Sequence, residues 1–272
     1  MSRLPLPADW LVPDWPAPPG VRAVCTTRSC PAGDAPSAAP WGGFNLADHV
    51  GDTPQAVASH RAALAACTGA RPIFLEQVHG CRVAELDAYA PDGQPADAAV
   101  TASSGVACTV MVADCLPVLL ARADGVAVAA AHAGWRGLAG GVIEAAAQAV
   151  RRLGPHPPAS AASATSAVEV VAWLGPCIGP DAFEIGPEVR AAFTAAHPEA
   201  AACFTPRPGG KWLAHLPALA RQRLAALGIP TWGNDGSPAW CTFSQPQLFH
   251  SYRARPVTGR MAACVWLARG KS

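Results

Sequence analysis

The chain has few charged side chains, and their signs nearly cancel. Charged residues make up 14% of the 272 residues, and 20 Lys plus Arg against 19 Asp plus Glu leave a formal net charge of +1. Because the positive and negative charges are so nearly equal, the chain has no broad electrostatic reason to bind nucleic acid or an anionic membrane surface. The sequence therefore predicts neither partner, although it remains compatible with one small anionic ligand.

Long apolar runs and paired cysteines are also missing. No segment offers about 20 apolar residues free of Pro and charge, and residues 1–20 contain repeated Pro, Asp and Trp where a signal peptide would be apolar. The 10 Cys include no C-x-x-C pair. Scattered cysteines inside apolar runs are typical of small buried hydrophobes in a reducing compartment. We expect a cytoplasmic protein.

Several catalytic signatures are absent. The chain contains no H-E-x-x-H, no G-x-S-x-G, no dinucleotide fingerprint after a strand and no deaminase pairing of H-x-E with P-C-x-x-C. These absences exclude the commoner hydrolase and dehydrogenase families.

Abundant hydrophobic residues predict a real core. They make up 51% of the chain, and VACTVMVA, PVLLA and VAVAAAHA are apolar at almost every position, which is typical of strands covered on both faces. Helical spacing appears in PQAVASHRAALAACTG, VIEAAAQAVRRLG, PEVRAAFTAA and LPALARQRLAALG. We predict a mixed α/β domain of β-sheets flanked by helices over residues 1–272. Its core is expected at about 21–268, with a Pro-rich extension at 1–20 and a surface connector at 155–167.

Two histidines and a cysteine follow or lie between β-like runs. His79 ends LEQVHG, Cys115 follows VACTVMVAD, and His132 ends VAVAAAH. If these strands are neighbours in one sheet, the three side chains form a three-ligand site, the pattern of catalytic zinc with one open position. The same residues also fit a Cys115 nucleophile with a histidine base. Asp114 would then orient an imidazole or simply close a turn, and the spacing does not decide between these hypotheses.

Arginines and small residues indicate an anion site. HAGWRGLAGG links a strand to a helix and contains Arg136, so backbone N–H groups at the helix start would suit phosphate, although a plain tight turn explains the pattern equally well. Arg253, Arg255 and Arg260 cluster near the C-terminus and are further candidates.

A succession of blocks resembles one family. NLADHVGD, QVHG, ADAAVT, ADCLPVLL, AAHAGWRG, LGPCIGPDAFEIGPEV and SYRARPVTGR, from about Thr26 to Leu267, resemble the YfiH-like family. Its members are variously called laccase-domain proteins, polyphenol oxidases and purine nucleoside phosphorylases. The resemblance implies a fold similar to that of a bacterial toxin with a Cys-His hydrolase site. It also implies a zinc ion held by His79, Cys115 and His132.

The resemblance further implies phosphorolysis of adenosine, inosine and methylthioadenosine, with deamination of adenosine, so purine nucleosides and phosphate are the expected partners. A cysteine or zinc hydrolase that edits a peptidoglycan precursor is the alternative. Copper is less favoured than zinc, because multicopper chemistry needs several His-rich clusters and the chain has 8 His with no H-x-H pair. A non-enzymatic zinc-binding protein also remains open, as do the preferred nucleoside and the oligomeric state.

A nucleoside enzyme would need further residues beyond the metal ligands. The catalytic candidates are Cys115, His132 and Asp114, with Glu184 as a second proton carrier. The substrate-binding candidates are Asn45, Arg136, Arg253 and Arg260, and the candidate base-stacking aromatics are Phe44, Trp135 and Phe183. Three segments depart from the family pattern. The usual SYRRDG is SYRARP, with Ala254 and Arg255, and a common Asn-Arg pair is His60-Arg61. The loop SCPAGDAPSAAPWGG also differs from the shorter Gly-rich form expected there.

Overall fold

Two β-sheets lie face to face, with helices on both outer faces. The computed structural model describes residues 4–154 and 168–270. In spatial order, the four-stranded sheet consists of β1 (Val21–Cys25), β13 (Met261–Leu267), β5 (Val106–Val112) and β2 (Arg71–Phe74). The six-stranded sheet consists of β12 (Thr231–Gly233), β8 (Val170–Leu174), β6 (Leu116–Arg122), β7 (Val128–Ala133), β4 (Ala98–Thr101) and β3 (Val83–Glu85).

Smaller elements complete the chain. A three-stranded sheet consists of β10 (Phe204–Pro206), β11 (Trp212–Ala214) and β9 (Glu184–Ile185). The α-helices are α1 (Pro54–Thr68), α2 (Trp135–Gly140), α3 (Val142–Arg152), α4 (Pro187–Thr194) and α5 (Leu216–Ala226). Short 3-10 helices cover Pro198–Cys203, Pro208–Gly210 and Pro238–Trp240. Within the described ranges, no helix has the length and apolar character needed to cross a membrane.

Strand β6 shows why an unbroken apolar run, from Leu116 to Ala121, suits a strand of this fold. Leu119 packs between the two large sheets, whereas Leu120 packs on the opposite face, in the cluster that includes residues of α3 and α5. Since side chains alternate along a strand, a strand covered on both faces buries every residue. All residues of β5, β6 and β7 are buried. The prediction of doubly covered strands in a mixed α/β fold is confirmed.

Helix α1 covers the outer face of the four-stranded sheet. Pro54 stands in its first turn, where no backbone N–H is needed, and Gly69 ends it in the left-handed region with φ of 65°. Leu64 of this helix belongs to the same buried cluster as Met111 of β5 and Trp266 of β13. The predicted helix is thus present, and its apolar face packs on the sheet.

The segment HAGWRGLAGG, expected as a strand-to-helix turn, contains a short helix of its own. Its central residues form the short helix α2, which meets α3 at Gly141, with φ of 99°. A Cβ at Gly137 would lie 2.8 Å from the carbonyl oxygen of Gly80. The small residue therefore allows α2 to pack closely on the loop that contains His79. The predicted connector at 155–167 lies outside the described residues.

The chain crosses between the two sheets at one point that matters for the site. It leaves the four-stranded sheet at Val112 and enters the six-stranded sheet at Leu116, so residues 113–115 form the crossover. His132 lies on β7 of the six-stranded sheet, whereas His79 lies in the loop after β2 of the four-stranded sheet. The expected arrangement of neighbouring strands in one sheet is therefore corrected: the three side chains meet where two sheets face each other.

Candidate metal centre

His79, Cys115 and His132 converge at one end of the interface between the sheets. Their ligand atoms all lie within 4.8 Å of one another, and Sγ of Cys115 is 3.8 Å from Nε2 of His79. The two imidazole rings meet edge to face, with centroids 4.8 Å apart. His132 is buried, Cys115 is half-buried and His79 is exposed. The group is therefore reachable from solvent on the His79 side.

The donor set and its spacing fit a zinc ion. A tetrahedral zinc with one sulfur and one nitrogen ligand holds those two atoms about 3.5 Å apart, close to the distance between Cys115 and His79. A Cβ at Gly134 would lie 2.8 Å from Cδ2 of His79 and 3.0 Å from Sγ of Cys115. Glycine at this position therefore leaves room for the ligands to approach.

A buried carboxylate, Asp97, organises two of the ligands. Its Oδ1 accepts a hydrogen bond from the backbone N–H of His79 at 2.9 Å and lies 2.9 Å from Nδ1 of His132. Its Oδ2 accepts from the N–H groups of Val78 and Gly80. The bond at Nδ1 directs Nε2 of His132 toward the centre, as in carboxylate–histidine–metal arrangements.

Opposite charges reinforce this geometry. Burial raises the pKa of the Cys115 thiol, but His132 and the hydrogen bonds from both imidazoles outweigh burial and lower this pKa to about 6. Burial likewise opposes protonation of His132, yet Cys115 and Asp97 raise its pKa to about 9. Hydrogen bonds from His132 and the His79 loop keep the pKa of Asp97 below its usual value despite its burial. Cys115 is thus poised as a thiolate, the form that binds metals.

Backbone strain accompanies the ligands. His79 and Asp114 are the non-glycine residues with positive φ among those the structure describes, at 61° and 92°. Such values cost free energy for L-residues and persist where surrounding contacts enforce them. Asp97 holds the first of these loops, and the contacts of Asp114 hold the second.

Asp114 accepts hydrogen bonds from three loops and does not bond to an imidazole among the described residues. Its Oδ1 accepts from Oγ1 of Thr242 at 2.6 Å, its Oδ2 from the backbone N–H of Arg253 at 2.6 Å, and its carbonyl oxygen from the N–H of Ile178 at 2.9 Å. The imidazole-orienting residue is therefore Asp97, which sequence reasoning missed. Asp97 lies in ADAAVT, one of the blocks that resemble the family, but no role was assigned to that block from the sequence.

The ligands line a cavity of about 470 Å³. Its wall also includes three arginines, Arg136, Arg253 and Arg260, and the aromatic residues Trp135, Phe183 and Tyr252. The Arg136 guanidinium lies 4.4 Å from the Trp135 ring and makes no hydrogen bond or ion pair within the described ranges. Arg253 donates to the carbonyl oxygen of Glu184, and Arg260 donates to those of Thr258 and Gly259.

Three sequence candidates lie elsewhere. Asn45 is fully buried and does not line the cavity; its side chain bonds to Asp52 and to the backbone of Ala47 and Arg260. Phe44 is also fully buried and packs against Trp10 rather than facing a ligand.

Glu184 likewise falls outside the cavity lining. Its carboxylate is paired with Lys211 at 2.7 Å. Arg255 and Ala254, where the chain departs from the family pattern, are exposed and not part of the cavity wall. The first departure therefore changes the surface near the cavity rather than its wall.

Comparisons with known proteins agree with this architecture. The family model described as multi-copper polyphenol oxidoreductase laccase matches residues 22–268. A purine nucleoside phosphorylase from Pseudomonas aeruginosa is 47% identical over 95% of this chain and 98% of its own length. The purine nucleoside phosphorylase YfiH of Escherichia coli is 42% identical over 94% of this chain and 98% of its own.

Solved structures show the same fold. A Neisseria meningitidis protein of family DUF152 is 42% identical, with a TM-score of 0.84 over 96% of this chain and 100% of that one. The protein YlmD from Geobacillus stearothermophilus has a TM-score of 0.82 at 26% identity, over 99% of this chain and 100% of that one.

Proposed function

The chain belongs to the laccase-like YfiH family, whose relatives carry the name purine nucleoside phosphorylase, and from this premise we propose that it is a zinc enzyme acting on purine nucleosides. The reaction would be phosphorolysis of adenosine, inosine and S-methyl-5′-thioadenosine, together with deamination of adenosine. One observation carries the proposal: a His-Cys-His group and three guanidinium groups share one cavity of about 470 Å³.

Zinc is favoured over copper by the side chains around the ligands. A blue-copper site adds a weak axial ligand, commonly Met, to two histidines and a cysteine. Met111 is the methionine on the cavity wall, but it belongs to the apolar cluster that contains Phe44 and Leu46. Two histidines and a cysteine match catalytic zinc with an open position.

Phosphorolysis requires phosphate beside the sugar and stabilisation of a sugar that becomes cationic. A phosphate oxygen forms the new bond to C1′ as the bond from C1′ to the base nitrogen breaks, and the base leaves with that electron pair and takes up a proton. Arg136 is the guanidinium most available to phosphate because, within the described ranges, it makes no hydrogen bond or ion pair that phosphate would have to replace. Arg253 and Arg260 would add positive charge on the same wall.

Deamination would use the metal more directly. A zinc ion held by His79, Cys115 and His132 would supply hydroxide from water near neutral pH. In this chain Asp97 would hold His132 in the orientation needed for binding, and Trp135, Phe183 or Tyr252 would offer ring faces to the purine.

The metal proposal has a direct test. Cys115→Ala, His79→Ala and His132→Ala are each expected to lose the roughly one zinc per chain that the wild type carries, because each removes one of three ligands. Cys81→Ala is the matched control, since the Cys81 thiol bonds to the carbonyl oxygen of Gly137 and is not one of the three ligands. Elemental analysis of purified, folded proteins decides; full zinc in all three variants would contradict the assignment, and copper in place of zinc would favour the oxidase.

The activity proposal is tested with a nucleoside panel, with and without phosphate, following free base, ribose 1-phosphate and ammonia. Arg136→Ala is expected to raise the phosphate concentration needed for half-maximal phosphorolysis by about ten- to a hundredfold, because a charge-assisted hydrogen bond contributes about 1.5–3 kcal/mol. Arg136→Lys should fall between, since it keeps the charge without the planar fork. Zinc content and phosphate-independent deamination should change less.

Arg152→Ala is the control for that experiment, because Arg152 is exposed in the last turn of α3 and is not part of the cavity wall. If Arg136→Ala leaves the phosphate dependence unchanged, Arg136 does not bind phosphate.

A second candidate function has one observation in its favour. The lowered pKa of Cys115 beside His132 is also the arrangement of a cysteine hydrolase, with a peptidoglycan precursor as the proposed substrate. Zinc-free protein that hydrolyses such a precursor and loses activity on thiol alkylation would favour this function. Stoichiometric zinc and nucleoside turnover would exclude it.

A further inference from the structure

A second cavity adjoins the one that contains the candidate metal centre. It has a volume of about 540 Å³, and the two cavities share His49 and Gln77 in their walls. Gln77 is fixed at this boundary, because its side-chain amide donates to the carbonyl oxygen of Met111 at 2.8 Å and accepts from the N–H of Met111 at 2.7 Å. His49 is exposed. A ligand too long for the first cavity therefore meets the second cavity at these two residues.

The second cavity has a different wall from the first. The first cavity combines the metal ligands with three arginines and three aromatic residues. The charged groups on the wall of the second are three carboxylates and one guanidinium, those of Asp48, Glu76, Asp92 and Arg61. The ring of Phe74 also lies on this wall, but the Arg61 guanidinium covers it at 4.1 Å. The first cavity therefore suits a purine ring, whereas the second suits a small charged group.

Arg61 has one donor group that its own contacts leave unused. Its Nε donates to the carbonyl oxygen of Leu46 at 2.9 Å, and its Nη2 lies 3.2 Å from Oδ2 of Asp48. Its Nη1 makes no hydrogen bond or ion pair with any residue that the structure describes. Since these contacts and the Phe74 ring fix the plane of the guanidinium, Nη1 is a preorganised donor for an anionic oxygen.

Two carboxylates on the same wall have oxygen atoms to spare. Oδ1 of Asp92 accepts from the backbone N–H of Phe74 at 2.8 Å, which leaves Oδ2 without a partner in the described part of the chain. The backbone N–H of Glu76 donates to the carbonyl oxygen of Gln94 at 3.0 Å, while its carboxylate has no partner there either. Arg61 and Asp92 thus both contact Phe74, so a cationic donor and an anionic acceptor lie close together.

An α-amino acid complements this arrangement. Its carboxylate and its ammonium group are attached to the same carbon, so it needs a cationic donor and an anionic acceptor close together. Arg61 would bind the carboxylate, and Glu76 with Asp92 would bind the ammonium group. A phosphate group suits this wall less well, because three carboxylates repel it and one guanidinium attracts it.

The proposed function indicates which end of a nucleoside would reach the second cavity. Phosphate at Arg136 would approach C1′, and the rings of Trp135, Phe183 or Tyr252 would contact the base, all on the wall of the first cavity. The 5′ position is the end of the nucleoside that none of these groups uses. A substituent at that position is therefore the group that can extend past His49 and Gln77.

We propose that the second cavity is a subsite for the 5′ substituent, and that the substrates include 5′-thioether nucleosides whose side chain ends in an α-amino acid. The inference rests on the proposed function. A phosphate oxygen forms the new bond to C1′ as the bond from C1′ to the base nitrogen breaks. Adenine leaves with that electron pair and takes up a proton, while the thioether and the amino acid remain unchanged on the sugar 1-phosphate.

The test compares S-adenosyl-L-homocysteine with S-methyl-5′-thioadenosine, which is the same nucleoside without the amino acid. With phosphate and zinc-loaded protein, the wild type should release adenine from both. The double variant Glu76→Gln, Asp92→Asn should raise the KM for the first substrate about three- to tenfold, the size of two partly exposed ion pairs, and change the KM for the second by less than about twofold. Glu85→Gln is the matched control, because Glu85 is exposed on β3 and lies outside both cavities.

An analogue that lacks the amino group, 5′-(3-carboxypropylthio)-5′-deoxyadenosine, separates the two charges. Its KM should respond to Arg61→Gln but not to the double variant, since it has no ammonium group for the carboxylates to bind. An unchanged KM for S-adenosyl-L-homocysteine in the double variant would overturn the inference. Turnover of the methylthio substrate alone would also overturn it, as would 5′-AMP accepted as readily as S-adenosyl-L-homocysteine.

Binding measurements distinguish a failure of this inference from a failure of the proposed function. If neither thioether nucleoside is cleaved, the proposed phosphorolysis is wrong, and equilibrium dialysis of S-adenosyl-L-homocysteine still tests the subsite. Binding to the wild type about three- to tenfold tighter than to the double variant would support the subsite. Equal binding to both proteins would overturn it.

Discussion

The carboxylate of Asp97 makes four contacts: with the ring of His132 and with three consecutive backbone N–H groups of the His79 loop. Asp97→Asn keeps the shape but replaces one acceptor oxygen by an N–H donor, which conflicts with donors already aimed at it. We expect metal affinity to fall about 10- to 100-fold, the usual cost of losing a partner that orients a ligand. Competition with a chelator of known affinity measures it.

Asp92→Asn is the control for that experiment, because Asp92 accepts one hydrogen bond, from the N–H of Phe74, and lies outside the metal cavity. Equal metal affinity of the Asp97→Asn and wild-type proteins would show that Asp97 does not orient the ligands.

The residues that sequence reasoning found and missed differ in a physical way. His79, Cys115 and His132 were candidates because each adjoins an apolar run, but the spacing left a metal site and a Cys115 nucleophile both open. Only the family resemblance favoured the metal. Asp97 was not a candidate, because its role arises from contacts with segments distant in sequence. Asn45 shows the reverse case: a conspicuous polar residue in a family block whose buried side chain bonds within its own loop and to the backbone of Arg260.

Helix α2 shows how an element can depend on one small residue at its start. Gly134 is the N-cap of α2 and has ordinary extended backbone angles, so Ala there causes no backbone strain. Its Cβ would nevertheless lie 2.8 Å from the His79 ring and 3.0 Å from the Cys115 sulfur. We expect Gly134→Ala to fold but to lose most of its bound metal, because the ligands must move apart.

Elemental analysis and circular dichroism together test this expectation. Gly20→Ala is the matched control, because a Cβ at Gly20 meets nothing within 4 Å. Undiminished metal in Gly134→Ala would mean that the ligands have more room than the distances allow.

Elements with a clear hydrophobic pattern in the sequence were predictable, whereas elements that depend on tertiary packing were not. The strands β5, β6 and β7 followed from unbroken apolar runs. Helix α2 did not follow, since three glycines in WRGLAGG weaken any helical signal and only contact with the His79 loop explains it. The assignment of β5 to one sheet and β6 to the other also needed the structure, because sequence does not say which strands pair.

At the scale of the whole molecule, the candidate metal site lies at the edge of the apolar core rather than inside it. The cluster between the two large sheets, which contains Leu119 and Trp173, is apolar and includes no metal ligand. His79, by contrast, is exposed. We therefore expect mild chelation to abolish activity while circular dichroism stays near that of the holoprotein. The free energy of unfolding should fall only by the contribution of metal binding, and the unfolding temperature should drop accordingly.

Adding back zinc should restore activity without a refolding step. Cooperative loss of circular dichroism on chelation would instead identify a structural site of the zinc-finger kind. The prediction of one domain with a core at about 21–268 remains a prediction, as does the cytoplasmic location.

Because of the crossover at residues 113–115, metal binding would report when the two large sheets have docked. Cys115 and His79 are 36 residues apart, and His79 and His132 reach the centre from different sheets, so no single segment of the chain can complete the ligand set. During refolding in the presence of cobalt, the colour that arises when thiolate binds this metal together with both imidazoles would report that the two sheets have docked. Secondary structure that forms earlier in either sheet would not produce that colour. Comparing the colour with circular dichroism would therefore separate folding within each sheet from docking of the two sheets.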